Sequence, residues 1–212
     1  MSIADLRREY ASRALDESSA ATDPIAQFAA WFDEAASADL LDVNAMTLAT
    51  VTPGGDPAAR IVLLKDFGPD GFVFFTNYRS AKGRDLEQRP RACLLAFWAA
   101  LERQVRITGQ VTRVSEAEST DYFHSRPYES QIGAWASLQS APLEHRTVLE
   151  DRFRALQQQY EGQTIPRPDY WGGYRVAPEQ IEFWQGRPSR LHDRLLYTRQ
   201  PDGPWTRTRL SP

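Results

Sequence analysis

The chain has 212 residues, enough for one well-buried core and too few to require two domains. With 42% hydrophobic residues, 11% aromatic residues and a net charge of −3, its composition is that of a globular protein without the basic field that favours nucleic acid. No apolar run approaches the roughly 20 residues of a membrane helix, and a single cysteine, Cys93, excludes an internal disulfide framework.

The N-terminal stretch, with Asp5, Arg7, Arg8 and Glu9, lacks the apolar centre of a secretory signal, so a cytoplasmic protein is expected. Residues 11–22 are small and polar, which predicts a mobile N-terminal arm over 1–22 ahead of a single domain spanning 23–212. Asp23-Pro24 caps and opens a helix whose apolar positions are Ile25, Phe28, Ala29, Phe32, Ala35 and Ala36. The texture then changes to strands: Met46–Val51, a turn at Pro53–Asp56, Arg60–Lys65, a turn at Gly68–Gly71, and Phe72–Asn77. A short helix after Ser80 stops near Pro90, followed by strands Arg91–Trp98 and Leu101–Val114.

Ser115 and Glu118 form a capping box for a helix reaching Ser125, and a longer helix covers Leu143–Tyr160. The C-terminal part returns to strands: Gly173–Val176, Gln180–Gln185, and a hairpin of Leu195–Arg199 with Trp205–Leu210. Strands in runs with helices inserted at their ends predict an α+β fold, mainly antiparallel, forming a barrel rather than a doubly wound sheet. No Gly-x-Gly-x-x-Gly follows any strand, which argues against a dinucleotide fold and a P-loop.

Metal chemistry finds no support, because three histidines and one cysteine sit at no ligand spacing. Cys93, set in an apolar run, reads as a buried small hydrophobe. The 25 Lys and Arg residues include only two lysines, Lys65 and Lys82, and both fall in segments suited to anions. Arg60-Ile61-Val62-Leu63-Leu64-Lys65 is an apolar strand bracketed by cations; strict alternation puts its ends on opposite faces, so one must act from a strand end or bulge. In Phe75-Thr76-Asn77-Tyr78-Arg79-Ser80-Ala81-Lys82 a strand meets a helix N-terminus, which favours an anion as readily as it explains ordinary capping. Tyr122, Arg126 and Ser130 are spaced by four, although Pro127 must end or restart any helix there. In Arg190-Leu191-His192-Asp193-Arg194, an extended chain would turn Arg190, His192 and Arg194 to one side, beside the aromatic stretch around Trp184.

These segments together resemble the pyridoxine/pyridoxamine 5'-phosphate oxidases. The resemblance runs from Leu6-Arg7-Arg8-Glu9-Tyr10 to Arg209-Leu210-Ser211-Pro212. It is most specific at Arg60–Lys65, Leu101–Val105, Tyr122–Pro127, Ser130–Trp135, Gln139-Ser140, Trp171–Gly173, Gln180–Gly186 and Arg190–Arg194. It implies an FMN-binding split β-barrel with peripheral helices, forming a homodimer with FMN at the interface. FMN contacts are implied along Arg60, Ile61, Val62, Leu63, Leu64 and Lys65, at Phe75, Thr76, Ser80, Ala81 and Lys82, and at Gln104, Gln139, Ser140, Trp184 and Arg194. The substrate phosphate is implied near Lys65, Tyr122, Arg126 and Ser130, and the pyridine ring near Arg190, Leu191 and His192. Arg190 and His192 carry the catalytic assignment, and Arg7, Arg8, Glu9 and Tyr10 would cover the substrate.

The implied reaction oxidises pyridoxine and pyridoxamine 5'-phosphates to pyridoxal 5'-phosphate, with O2 as acceptor and H2O2 as product. It involves no metal, nucleic acid or membrane. The sequence departs from the family at Ala81, where arginine is frequent, and at Phe75, where tyrosine is common. Two alternatives stand beside this expectation: a related FMN oxidase of another aromatic acid, such as a phenazine precursor, and a flavin- or pyridoxal-phosphate-binding protein without turnover.

Overall fold

A computed structural model describes residues 13–212. Arg7, Arg8, Glu9 and Tyr10, expected to cover the substrate, lie outside the described residues. Helix α1 (Pro24–Ser37) begins where expected: the Asp23 carboxylate accepts the Ile25 N–H at 3.1 Å and Pro24 occupies the first turn. Strands β1 (Ala45–Val51), β2 (Pro57–Leu63), β3 (Asp66–Gly68) and β4 (Gly71–Asn77) follow, then helix α2 (Ala81–Gln88) and strands β5 (Arg91–Trp98) and β6 (Arg103–Arg113). Three helices come next, α3 (Glu116–Ser125), α4 (Tyr128–Ala136) and α5 (Arg146–Gln159), before strands β7 (Trp171–Gln185), β8 (Asp193–Arg199) and β9 (Trp205–Arg209).

The nine strands form one antiparallel sheet in the order β2-β1-β5-β6-β7-β4-β3, with β8 on β7 and β9 on β8. Strands β2 and β3 occupy opposite ends of that path, yet only Leu64 and Lys65 separate them in the chain. The sheet must therefore curl until its ends face each other, as a barrel left split at the seam. At the seam Leu64 N–H donates to Asn44 O and Lys65 N–H to Val73 O, both at 2.8 Å. Leu64 turns into the core while Lys65 stays exposed.

Two expected strands, Gly173–Val176 and Gln180–Gln185, are one strand of 15 residues, β7. Pro178 misled the sequence reading because proline lacks an N–H and usually interrupts a central strand. Here the β6–β7 register shifts between Thr108 and Gly109, with Gly109 opposite Pro178. A Cβ on Gly109 would sit 1.9 Å from Ala177 O, so only glycine fits that approach. On the other edge, β7 pairs with β4 through Val176 and with β8 from Gln180 onwards.

Helix α1 closes the barrel with its apolar stripe. Phe28 is fully buried, 4.9 Å from both the Phe67 and Phe72 rings in edge-on contact. A smaller core of Phe123, Ile132, Ile165 and Trp171 seats the α3–α5 group. Although the sequence suggests mobility through residue 22, residues 13–22 pack along β8 and β9. Leu15 is buried, Tyr197 Oη donates to Ala21 O at 2.6 Å, and Arg207 donates to Ala20 O at 2.9 Å.

Truncating Phe28 to alanine removes the ring that joins α1 to three strands, and is expected to lower the unfolding free energy by about 3–5 kcal/mol. Urea unfolding checks this; a loss below about 1 kcal/mol would show that α1 is held elsewhere.

Candidate active site

An open cavity of about 460 Å³ lies beside the seam, between β2, β4, α2 and the α3–α4 corner. Its floor is aromatic: Phe75 on β4 stacks on Tyr122 at 4.0 Å and on Trp171 at 5.6 Å. Strand alternation sends Val62 and Leu64 into the core and leaves Ile61 and Leu63 exposed, 64% and 42% respectively. Leu64 thus has only its backbone to offer a ligand, whereas Ile61, Val62 and Leu63 line the cavity wall. Lys65 escapes the alternation because it lies in the two-residue link between β2 and β3, and its ammonium reaches to 5.9 Å from the Tyr122 ring.

Tyr122, Arg126 and Ser130 do converge on this cavity, but not along one helix. Helix α3 ends at Ser125, Arg126 is extended (φ −77°, ψ 150°), and α4 restarts after Pro127. Arg126 lies over Trp171, 4.6 Å from the ring centre, and its buried Nη1 has no hydrogen-bond partner. Burial lowers its pKa below the usual arginine value. A buried guanidinium nitrogen left unsatisfied costs about 1–3 kcal/mol, which an anion in the cavity would offset.

Lys82 approaches from the first turn of α2. That helix starts at Ser80, whose hydroxyl accepts the Gly83 N–H at 3.2 Å. Gly83 is demanded by packing, since a Cβ there would lie 1.9 Å from Tyr78 O. The Lys82 ammonium donates to Gln139 Oε1 at 2.7 Å, Thr76 Oγ1 at 3.2 Å and Ser80 Oγ at 3.4 Å. Desolvation, reinforced by nearby Arg60 and opposed by Asp85, lowers its pKa from 10.5 to about 8. Among the described residues no carboxylate pairs with Lys65, Lys82 or Arg126, so three cations face one cavity without a counter-charge.

Arg60 differs. Its guanidinium bonds Thr50 Oγ1 at 2.5 Å and the buried Asp85 carboxylate at 3.3 Å, which fixes it behind Lys82. Nothing in the sequence singled out Asp85, a lone acid in a short charged helix. Ala81 opens α2 and contributes no cation, and Ser140 sits in the exposed loop after α4 with φ 69°.

The remaining candidates gather elsewhere. Gln104 on β6 pairs with Trp184 on β7, and Trp184 pairs with Arg194 on β8. His192 packs its ring 4.6 Å from Trp184. Arg194 Nε donates to the buried Glu182 carboxylate at 2.8 Å, which also binds Arg106. The condition of an extended chain over Arg190–Arg194 is not met: Pro188–Arg190 forms a 3-10 turn, with Ser189 and Arg190 at φ 56° and 62°, and the strand begins only at Asp193. Strict alternation therefore does not set the direction of Arg190 and His192. The Arg187 backbone N–H donates to His192 Nδ1 at 3.1 Å. A backbone N–H can only donate, so the neutral ring carries its proton on Nε2. Arg190 and Leu191 are exposed, Leu191 at 70%.

The two groups are thus separate within one chain. Trp171 borders the cavity at the start of β7, whereas Trp184 lies near its end, beyond the bulge and on the stretch that pairs with β8. Trp171, stacked beneath the cavity, is marked in the sequence only as part of the Trp171–Gly173 motif; its signal is an aromatic directly before Gly172-Gly173. Cys93 is partly buried, and burial raises its thiol pKa. Among the described residues no cluster of three or more His, Cys, Asp or Glu could hold a metal, and no helix is long and apolar enough to cross a membrane.

A family profile described as "Pyridoxamine 5'-phosphate oxidase" matches residues 32–160, and one described as "Pyridoxine 5'-phosphate oxidase C-terminal dimerisation region" matches residues 171–212. A pyridoxine/pyridoxamine 5'-phosphate oxidase of Trichormus variabilis is 58% identical over 99% of this chain and 98% of its own length. One from Ralstonia nicotianae is 57% identical over 100% of this chain and 99% of its own. Among solved structures, PhzG from Burkholderia lata, in complex with tetrahydrophenazine-1-carboxylic acid, superposes with a TM-score of 0.89 at 30% identity, covering 95% of this chain and 99% of that one. An FMN-binding protein of Nostoc punctiforme related to pyridoxamine 5'-phosphate oxidase superposes at 0.71 with 20% identity, over 90% of this chain and 98% of that one, a likeness of fold.

The Lys82 pKa of about 8 gives the cavity a pH dependence. Below pH 8 the ammonium is charged and a phosphate monoester binds fully; above it, affinity is expected to fall by up to tenfold per pH unit. Titration by fluorescence or calorimetry between pH 6.5 and 9.5 reads the step. Lys82→Met should weaken binding on the order of tenfold or more and abolish the step; an unchanged step would assign it to another group.

Proposed function

The chain belongs to the pyridoxamine 5'-phosphate oxidase family, and from that premise we propose that its cationic cavity works in the FMN-dependent oxidation of pyridoxine and pyridoxamine 5'-phosphates to pyridoxal 5'-phosphate, with O2 as acceptor and H2O2 as product. The observation that carries this reading is the trio Lys65, Lys82 and Arg126, unpaired with acid around an aromatic floor. Phosphate dianions are the ligands that such a set suits. Its single cysteine suits a cytoplasmic setting.

The residues fit two phosphates. Lys82, with Thr76, Ser80 and Gln139 within reach of its ammonium and Arg60 behind it, would hold the cofactor phosphate at the start of α2. Without a cation at position 81, this group depends more heavily on Lys82 and Arg60. Lys65, Tyr122, Arg126 and Ser130 would hold the substrate phosphate at the other side of the same cavity. Phe75 supplies an apolar ring rather than a hydroxyl. FMN, when bound, supplies the two-electron acceptor that amino-acid side chains lack. The protein's share is orientation: a phosphate clamp at one end of the substrate, and a guanidinium and an imidazole for its ring. His192, holding its proton on Nε2, would donate a hydrogen bond to a ring substituent, and Arg190 would lie against the ring.

Arg190 and His192 are not part of the cavity lining in the same chain, so in this reading a second copy brings them there. The C-terminal dimerisation match covers β7–β9, the elements carrying Gln104's partner Trp184, Arg190, His192 and Arg194. In a two-fold dimer each cavity would meet the partner's loop, giving two composite sites with FMN at the interface. A non-phosphorylated aromatic acid would leave part of the Lys65, Tyr122, Arg126 and Ser130 set without a partner, which disfavours the phenazine-type alternative.

Pyridoxine 5'-phosphate added to the yellow purified protein should release hydrogen peroxide in step with pyridoxal 5'-phosphate. A colourless protein that FMN does not reconstitute would overturn the reading, and FMN binding without peroxide would reduce it to a carrier. The composite site has its own check. Arg126→Ala and Arg190→Ala should each be nearly inactive alone, whereas subunits mixed one to one should recover roughly a quarter of wild-type activity, from the single intact site of each mixed dimer. No recovery would place both arginines in one chain's site.

A further inference from the structure

The Asp193 carboxylate joins three segments that are remote in sequence. Its Oδ2 accepts the Leu15 backbone N–H at 3.0 Å and lies 3.4 Å from Arg187 Nε, while its Oδ1 accepts from Arg209 Nη1 at 2.9 Å. Each partner ties back to the others. Arg209 also donates to Leu15 O at 3.1 Å and pairs with Glu17. Arg187 Nη1 donates to Arg13 O at 3.2 Å, and its backbone N–H is the group that holds His192 Nδ1. Residues 13–17, the loop 187–192 and strand β9 therefore form one closed network with Asp193 at its centre.

Beyond the packing of His192 on Trp184, the turn at Ser189 and Arg190 needs outside support. Ser189 and Arg190 both occupy left-handed backbone conformations, which are strained for a non-glycine residue. Leu191, the apolar residue next to them, is exposed and gives the turn no anchor of its own. Polar bonds to partners outside the loop must stabilise the strained turn, and Asp193 is the side chain on which they converge, only 18% exposed.

We propose that Asp193 is a positioning residue for the oxidase site: its carboxylate holds the Arg190–His192 loop in its strained shape and locks residues 13–17 onto that loop. Residues 13–17 and the loop that carries Arg190 and His192 are then tied to the same carboxylate. The inference rests on the function proposed above.

Asp193→Ala, Asp193→Asn and Arg209→Gln test it in the FMN-loaded dimer, with hydrogen exchange of the segment around Leu15 read beside steady-state kinetics. Asp193→Ala should speed exchange there and raise KM for pyridoxine 5'-phosphate, each on the order of tenfold, with FMN content unchanged. Asp193→Asn, which keeps one acceptor for Leu15 N–H, should restore slow exchange more fully than it restores KM. Arg209→Gln should add little to Asp193→Ala, because both cut the same network. Faster exchange with unaltered KM and kcat would overturn the proposal by making the network structural only, and so would unaltered exchange. If Asp193→Ala does not retain FMN, the Asp193→Asn and Arg209→Gln variants decide by the same readings. A wild-type protein that makes no peroxide fails the functional reading instead, and exchange at Leu15 then still decides whether the clasp exists.

Discussion

Strand β7 must satisfy amide groups along two edges for 15 residues, yet Pro178 in its middle has no N–H to offer. The fold is organised around that gap. On one edge the ladder to β6 slips by a bulge at Gly109; on the other, the partner changes from β4 to β8. Up to Val176 the strand belongs to the cavity side, with Trp171 under the phosphate-binding group. Beyond Gln180 it belongs to the β8–β9 side, with Trp184, Glu182 and the loop of Arg190. One continuous strand thus carries both groups of candidate residues while holding them apart, and under the proposed function this separation calls for a second subunit.

Arginines in the framework and cations in the cavity are treated in opposite ways. Arg60 is matched by Asp85, Arg103 by Glu34, and Arg106 and Arg194 share Glu182. Paired guanidiniums of this kind fix side-chain direction, which is their use here, whatever their net contribution to stability. Lys65, Lys82 and Arg126 have no such acid, and two of them show it in lowered pKa values caused first by desolvation. The cavity therefore stores unfavourable electrostatics that an anionic ligand relieves, so binding and local stability are coupled.

Local chemistry was legible in the sequence. Asp23-Pro24, Ser80, and Ser115 with Glu118 mark helix starts because capping is a short-range interaction, and their hydroxyl or carboxylate oxygens accept the expected backbone N–H groups. The strand ends at Arg91 and Trp98 fall where their flanking signals put them. Long-range facts left no such mark. A proline within a run reads as a break until a bulge on the neighbouring strand is known, so β7 was divided. Helix α4 is hidden behind Pro127, although Tyr122, Arg126 and Ser130 still converge because the chain turns a corner between two helices there. The left-handed residues Ser189 and Arg190 carry no glycine to announce them, so the turn that sets the direction of Arg190 leaves no mark in the sequence. The partners Asp85, Glu182 and Asp193 are single acids whose roles exist only once distant segments meet.

The scarcity of lysine has a practical side. Apart from the chain's own amino terminus, every primary amine of this protein lines one cavity, and the amine at Lys82 holds its proton only up to about pH 8. Amine-directed reagents, which scatter over the surface of an ordinary protein, are funnelled here to two positions, one in the seam of the barrel and one in the first turn of α2. A fluorophore or cross-linker introduced by that chemistry lands at the binding site without any engineering of the sequence.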